Sequence, residues 1–508
     1  MGHGRRRARP RRRLRQAAVC AASAALVAGA LLAPGLTGSG SGSPATLSAE
    51  LARNAQARRG PRATSAPTGR TTGDDHGTAR RKHSSQHGSG SSGASDGSTG
   101  STSGSATSGS ATSSATSATS ATSSDSATSA TSATSATSTG ASTSSASSAG
   151  TPPGSAVGGV RVAGNRLVDG NGRAVRLAGF NLSGAEYACI EGFGVFDTPD
   201  GTIPTDTQVA AMASWKGANA IRLPLNEQCW LGVGGVKAGY SGDAYRSAVR
   251  QLVSRLAAHG FVIVLDLHRS APGTTASLEQ EPMPDRDHSP AFWTSVAATF
   301  ANEPAVTFDL FNEPFPFEEQ DTARAWTCWR DGGCQLKSAN SGQTYTAAGM
   351  RELLSAVRST GARNVVFLGG LYWAEVMSQW LAYAPADPAG QLGASTHIYS
   401  FNDYCVTTAC YDRDLTPILA KVPLLAGEIG PDLTVGSNGI DSHCPASVIG
   451  NTGFARTTLD WLDAHGAAWT TWNWTPLNDC WSLTSDWGGT PTGVWGALVK
   501  AELAARAA

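Results

Sequence analysis

Phe308-Asp-Leu-Phe-Asn-Glu-Pro314 is a short apolar run that ends in a polar pair and a proline. Val306 to Phe311 has the length and composition of a buried strand, and Pro314 cannot continue a sheet ladder. Asn312 and Glu313 therefore stand where a strand leaves the core. A carboxylate at that place is costly unless it has partners or work to do. A second run of the same kind, Pro423-Leu-Leu-Ala-Gly-Glu428-Ile-Gly430, delivers another glutamate beside glycines.

Outward from these two runs, further strand-like segments recur: Arg176–Asn181, Ala218–Pro224, Phe261–His268, Asn364–Gly369, Ala394–Tyr399 and Ala468–Trp472. Helical spacing falls between strands, as in Tyr245–His259, Pro290–Ala301, Ala347–Thr360 and Ala455–His465. Eight strands, each followed by a helix or room for one, predict a (β/α)8 TIM barrel with reactive groups at the C-terminal strand ends. A doubly wound open sheet is the rival, but it would normally carry a glycine-rich phosphate loop after its first strand, and none is present. Ahead of the barrel, Val160–Leu167 and Val175–Leu177 flank Asp169-Gly-Asn-Gly172, which reads as a β-hairpin.

The strand ends are the informative part. They carry Asn181, Arg222, Asp266-Leu-His268, Asn312-Glu313, His397-Ile-Tyr399, Glu428 and Trp472-Asn-Trp474. Packing alone does not explain so many apolar strands ending in polar or aromatic groups at one end. Two glutamates at two strand ends are what glycoside hydrolysis needs, one to protonate the leaving oxygen and one to attack or to activate water. Singly, each residue has a plainer reading. Arg222 could be a buried structural ion pair, His268 and His397 satisfied core histidines, and Trp472 and Trp474 core aromatics.

Taken together and in this order, the set resembles glycoside hydrolase family 5, within the clan of retaining barrel glycosidases. The resemblance covers 157–508 and rests on Asn312-Glu-Pro314, Glu428, Arg222 in Ala-Ile-Arg-Leu-Pro, His268 after Asp266-Leu, His397-Ile-Tyr399 and Trp472. It implies that Glu313 is the acid/base and Glu428 the nucleophile of an endo-β-1,4-glucanase-type hydrolase. The same chemistry on a β-mannan, or exo-action on short β-glucosides, is the near alternative. A carbohydrate-binding surface protein without catalysis is the alternative of another class. Arg222 and Tyr399 are expected to hold Glu428, and Asn312 to bond the sugar 2-hydroxyl. The two histidines are expected to bond sugar hydroxyls or the carboxylates, and Trp472 to floor the sugar site. No metal or cofactor is expected, since the carboxylates supply both proton and nucleophile, and a monomer is expected.

Glu186 and Glu227, in the loops after the first two strands, could touch substrate but read first as loop charges. Trp230, Trp326, Trp329, Trp373, Trp481 and Trp487 read first as pins for long loops, with stacking of further sugar units as the other use.

The rest of the chain bears on export. From Ser84 to Ala156 the sequence is nearly all Ser, Ala, Thr and Gly, with too little apolar surface to offset its ordering entropy. The formal net charge of zero hides an asymmetry. Lys and Arg number 16 against 5 acidic residues before Val157, giving +11, and 23 against 34 from there on, giving −11. So acidic a folded part argues against nucleic acid and suits a neutral glycan. Residues 1–33 read as a signal peptide or N-terminal anchor, with eight arginines before the apolar stretch Ala17–Ala33. Residues 34–156 read as a disordered linker, able to tether the barrel to membrane or cell wall. A secreted protein, released or held at the cell surface, is expected. Beyond Cys20, eight cysteines remain and no CxxC pair occurs, so a disulfide set is expected. Cys328–Cys334 and Cys405–Cys410 are the local pairs, leaving Cys189–Cys229 and Cys444–Cys480.

Overall fold

The computed structural model describes residues 158–401, 404–433, 453–477 and 479–507. The expected leader (1–33), the linker (34–156) and Cys444, with the pairing expected for it, lie outside the described residues.

Where a two-stranded hairpin was expected, three short antiparallel strands form: β1 (Arg161–Ala163), β2 (Arg166–Val168) and β3 (Ala174–Val175). The first arm folds on itself at Gly164, whose φ of 63° only a residue without Cβ takes easily. The barrel strands follow: β4 (Ala178–Asn181), β5 (Ala220–Asn226), β6 (Val262–Arg269) and β7 (Val306–Asp309). After an antiparallel excursion, β8 (Gln335–Lys337) with β9 (Thr344–Thr346), come β10 (Val366–Gly369), β11 (Leu392–Ile398), β12 (Leu424–Ile429) and β13 (Ala468–Thr471). The eight barrel strands pair in parallel and close through β13 on β4. A helix follows each: α1 (Asp206–Ala213), α2 (Asp243–Ala258), α3 (Ser289–Phe300), α4 (Met350–Ser359), α5 (Trp380–Tyr383), α6 (Thr408–Asp414), α7 (Gly453–Ala464) and α8 (Trp495–Arg506). The fold is a (β/α)8 barrel.

Side-chain alternation along the strands divides two environments. Ile221, Leu223, Ile263 and Leu265 join the large cluster that also holds Val249, Leu252, Val253 and Leu256 of α2, which recur at helical spacing. Ala220, Val262, Val264, Phe367, Leu425 and Ala468 form a separate cluster with Leu167, Val175 and Leu177. The small antiparallel sheet thus packs against apolar strand residues that precede the polar ones in β5 and β6. Two positions beyond Ala220 comes Arg222, and two beyond Val264 comes Asp266, on the same face but toward the C-terminal end.

Three disulfides close among the described residues: Cys189–Cys229, Cys328–Cys334 and Cys405–Cys410. The first ties the loop after β4 to the helical turn after β5.

Candidate active site

Arg222 organises the C-terminal end of the barrel. It is fully buried, and register sets its neighbours: Asn181 of β4 pairs with it, and Asp266 pairs with Asp309 across β6 and β7. Its Nε donates to Asp309 Oδ2 at 3.2 Å, its Nη1 to Asn181 Oδ1 at 3.1 Å and Glu428 Oε1 at 2.8 Å, and its Nη2 to Asn312 Oδ1 at 2.9 Å. Asp266 Oδ1 lies 3.0 Å from Nη2. One guanidinium therefore faces three carboxylates. Burial pushes Asp266 and Asp309 up to about 7, with Arg222 pulling both the other way.

The two glutamates meet different surroundings. Glu428, on β12, also accepts from Tyr399 Oη at 2.5 Å, so each of its oxygens has a charged or phenolic donor. Glu313 lies just past β7. Its Oε1 is 2.8 Å from His397 Nδ1, and its backbone carbonyl accepts from Gln280 Nε2 at 2.8 Å. Burial raises Glu313 to about 8, against the pull of Arg222, so the group holds its proton at neutral pH. His397 is lowered to about 3 by burial and is neutral. One atom from each of Glu313, His397 and Glu428 falls within 4.8 Å of the others, which brings the two carboxyls face to face.

His268, Asn312, Glu313, Tyr399, Glu428 and Trp472 line one cleft of about 700 Å³, open mouth included. Arg222 and His397 support it from behind, through their bonds to residues that line it. His268 is lowered to about 4 by burial, bonds Asp266 Oδ2 at 2.7 Å, and stacks on Trp472 with ring centres 5.5 Å apart. Asn312 Nδ2 reaches Gln280 Oε1 at 3.2 Å. The remaining wall is Glu186, Arg269, Gln280, Phe401, Leu477, Asp479 and Trp481.

Several of these had no clear signal in the sequence. Asp309 sits inside an apolar run, and its role comes only from facing Arg222. Glu186 and Glu227 are not loop charges: they are 1% and 0% exposed. Glu186 lines the cleft, accepting from Ser183 Oγ and the Gly184 amide. Glu227 is hydrogen-bonded to Asp285, and burial with that neighbour's charge drives it well above the carboxylate range. Of the tryptophans, Trp230, Trp326 and Trp329 are buried in the core, while Trp481 lines the cleft. Trp373 stacks on Phe315 at 4.6 Å.

Besides the central trio, two groups bring ligand-type atoms within 4.8 Å. Cys405 and Cys410 are joined to each other, which removes both thiolates from the set with Asp414. In the set Glu227, Asp285 and His288, the carboxyls already bond each other, Ser289 Oγ and the amides of Ala271 and His288.

The family model for cellulase, glycosyl hydrolase family 5, matches residues 168–478. An endoglucanase of Microbulbifer sp. (strain ALW1) is 23% identical over 323 residues, which is 62% of this chain and 51% of that protein. A mannan endo-1,4-beta-mannosidase of Streptomyces lividans is 25% identical over 285 residues, 54% of this chain and 59% of that one. The chain thus spans about half the length of the curated relatives it matches. In fold it is similar to a beta-glucanase from Saccharophagus degradans solved with cellotetraose. The TM-score is 0.51 at 18% identity, covering 68% of this chain and 93% of that one. With the family matched over most of the barrel, this chain belongs to glycosyl hydrolase family 5, the cellulase family.

Proposed function

We propose that the chain is a secreted, retaining endo-β-1,4-glucanase, with Glu313 as acid/base and Glu428 as nucleophile. One observation carries the reading: an oxygen of each carboxyl lies within 4.8 Å of one on the other, with Glu313 held protonated by burial and Glu428 gripped by Arg222 and Tyr399. Retaining hydrolysis needs the pair about 5–5.5 Å apart, too close for a water between carboxylate and sugar.

In the first step Glu428 attacks the anomeric carbon as Glu313 gives its proton to the departing glycosidic oxygen. A glycosyl ester on Glu428 results. Glu313, now a carboxylate, then takes a proton from water, whose oxygen displaces the ester and restores both groups. Arg222 balances the charge on Glu428 before attack and again as the ester is released, and Tyr399 holds the second carboxylate oxygen. Trp472 offers a flat apolar face to the sugar ring.

A β-1,4-glucan is favoured because the Microbulbifer relative is named an endoglucanase and the Saccharophagus neighbour was solved with cellotetraose. The named activity of the Streptomyces relative keeps β-mannan as the second reading. Export and the tethering of the barrel by 34–156 belong to the same proposal, supported by the leader-like and low-complexity sequence.

Glu428→Gly should be inactive and should regain turnover in azide, yielding an α-glycosyl azide. A β-azide would reverse the two roles. Internal cleavage of carboxymethylcellulose, rather than release of monosaccharide from chain ends, tests endo-action, and glucomannan tests the second reading.

A further inference from the structure

β5 and β6 pair residue for residue up to Leu225 with Leu267, and then the register slips so that Asn226 faces Arg269. An extra residue in one strand turns neighbouring side chains off strict alternation. Both His268 and Arg269 consequently line the cleft. Arg269 is 4% exposed, and its Nη1 is buried without a hydrogen-bond partner. Among the described residues it makes no ion pair, and its guanidinium has only the Tyr187 ring, 5.9 Å away. The carboxyls of Glu191 and Glu279 feel its charge without touching it. A buried cation left without donors' partners is destabilising by itself, so its presence in a cleft wall calls for a ligand.

Building on the glycosidase reading, we propose that Arg269 is a substrate-binding residue that donates to hydroxyls of a neutral pyranose lodged on the Glu186 side of the cleft. The complementary acceptors line the same cleft. Glu186 and Asp479 line the cleft, and Asp479 Oδ1 is already fixed by the amides of Trp481 and Ser482. Guanidinium donors and carboxylate acceptors in one cleft suit a hydroxyl, which both gives and accepts hydrogen. A uronate or sulfated sugar suits the wall less well. It would enter a cleft that also presents Glu186, Glu313, Glu428 and Asp479, with Arg269 as the one cation in its lining.

The test measures calorimetric binding of a β-1,4-linked glucose tetrasaccharide in the inactive Glu428→Ala background, alongside steady-state kinetics in the active chain. Arg269→Met should weaken binding about tenfold to a hundredfold, the loss expected for a charge-assisted hydrogen bond. KM should rise more than kcat falls, and Arg269→Lys should recover part of the loss. The melting midpoint of Arg269→Met should hold or rise, because an unpaired buried charge has gone. Unchanged binding and KM in a stable Arg269→Met would overturn the proposal. So would a lowered midpoint with binding lost in proportion, the mark of a structural arginine. Tighter wild-type binding of a uronate-bearing oligosaccharide, abolished in Arg269→Met, would replace the neutral ligand with an acidic one. A wild type that neither binds nor cleaves any β-glycan would overturn the glycosidase reading, and this proposal with it.

Discussion

Glu313 and Glu428 have the same side chain and, in the proposed mechanism, opposite tasks, and the difference lies in what each one touches. Glu428 faces a guanidinium and a phenol, whereas Glu313 is buried beside a neutral imidazole. Glu313 is raised from 4.5 to about 8, so the folded chain holds its proton more tightly than the unfolded chain. That contribution to stability is complete below pH 4.5 and is lost as pH rises through about 8. Glu313→Gln, which does not titrate, should therefore gain stability over wild type from pH 4.5 to pH 8, on the order of a few kcal/mol. Denaturant midpoints at both pH values read it, and a constant difference would contradict it. Wild-type activity should fall above about pH 8, where the acid has lost its proton.

At the scale of the element, β12 shows how little freedom the strand has. A methyl on Gly430, just past its end, would overlap the Tyr399 ring and lie 2.7 Å from Trp481 Cζ3. Glycine there lets Tyr399 close on Glu428. Gly430→Ala should displace that ring, lower kcat and cost about 1–3 kcal/mol of stability, as overpacking does. Wild-type kcat in this variant would show that the ring has room to move.

Strand composition is also where the sequence was most readable. Apolar runs ending at Asn312-Glu313 and at Glu428, with helical spacing between runs, were enough to expect the barrel, because alternation of strand and helix is written locally. The slips of register were not readable. One falls between Leu225 and Asn226 and one between Thr396 and His397, and they arise only once strands pair. Hence Arg269 drew no attention, and Glu186 passed for a loop charge. Its burial depends on Ser183 and on elements distant in sequence. Asp309 was hidden for the same reason, since its partner Arg222 lies 87 residues earlier.

For the molecule as a whole, long loops at the C-terminal strand ends are held by covalent ties. Cys189 and Cys229 close a segment of 40 residues, for which loop entropy gives a stabilisation of about 3–4 kcal/mol. Replacing both with serine should lower the melting midpoint by several degrees and sensitise the loop after β4 to protease. An unaltered midpoint would mean that packing alone holds that loop.

The closing contact of the barrel joins its earliest strand to its last: Phe180 lies opposite Thr471, and Asn181, next to Phe180, is one of the groups that hold Arg222. Synthesis delivers Glu313 and Glu428 before that seam can zip. A nascent chain halted between β12 and β13 carries both Glu313 and Glu428 and still has no enclosure to bring them to bear. Competence should therefore arrive in one step near the end of translation, and a truncated chain ending before that strand should be catalytically silent.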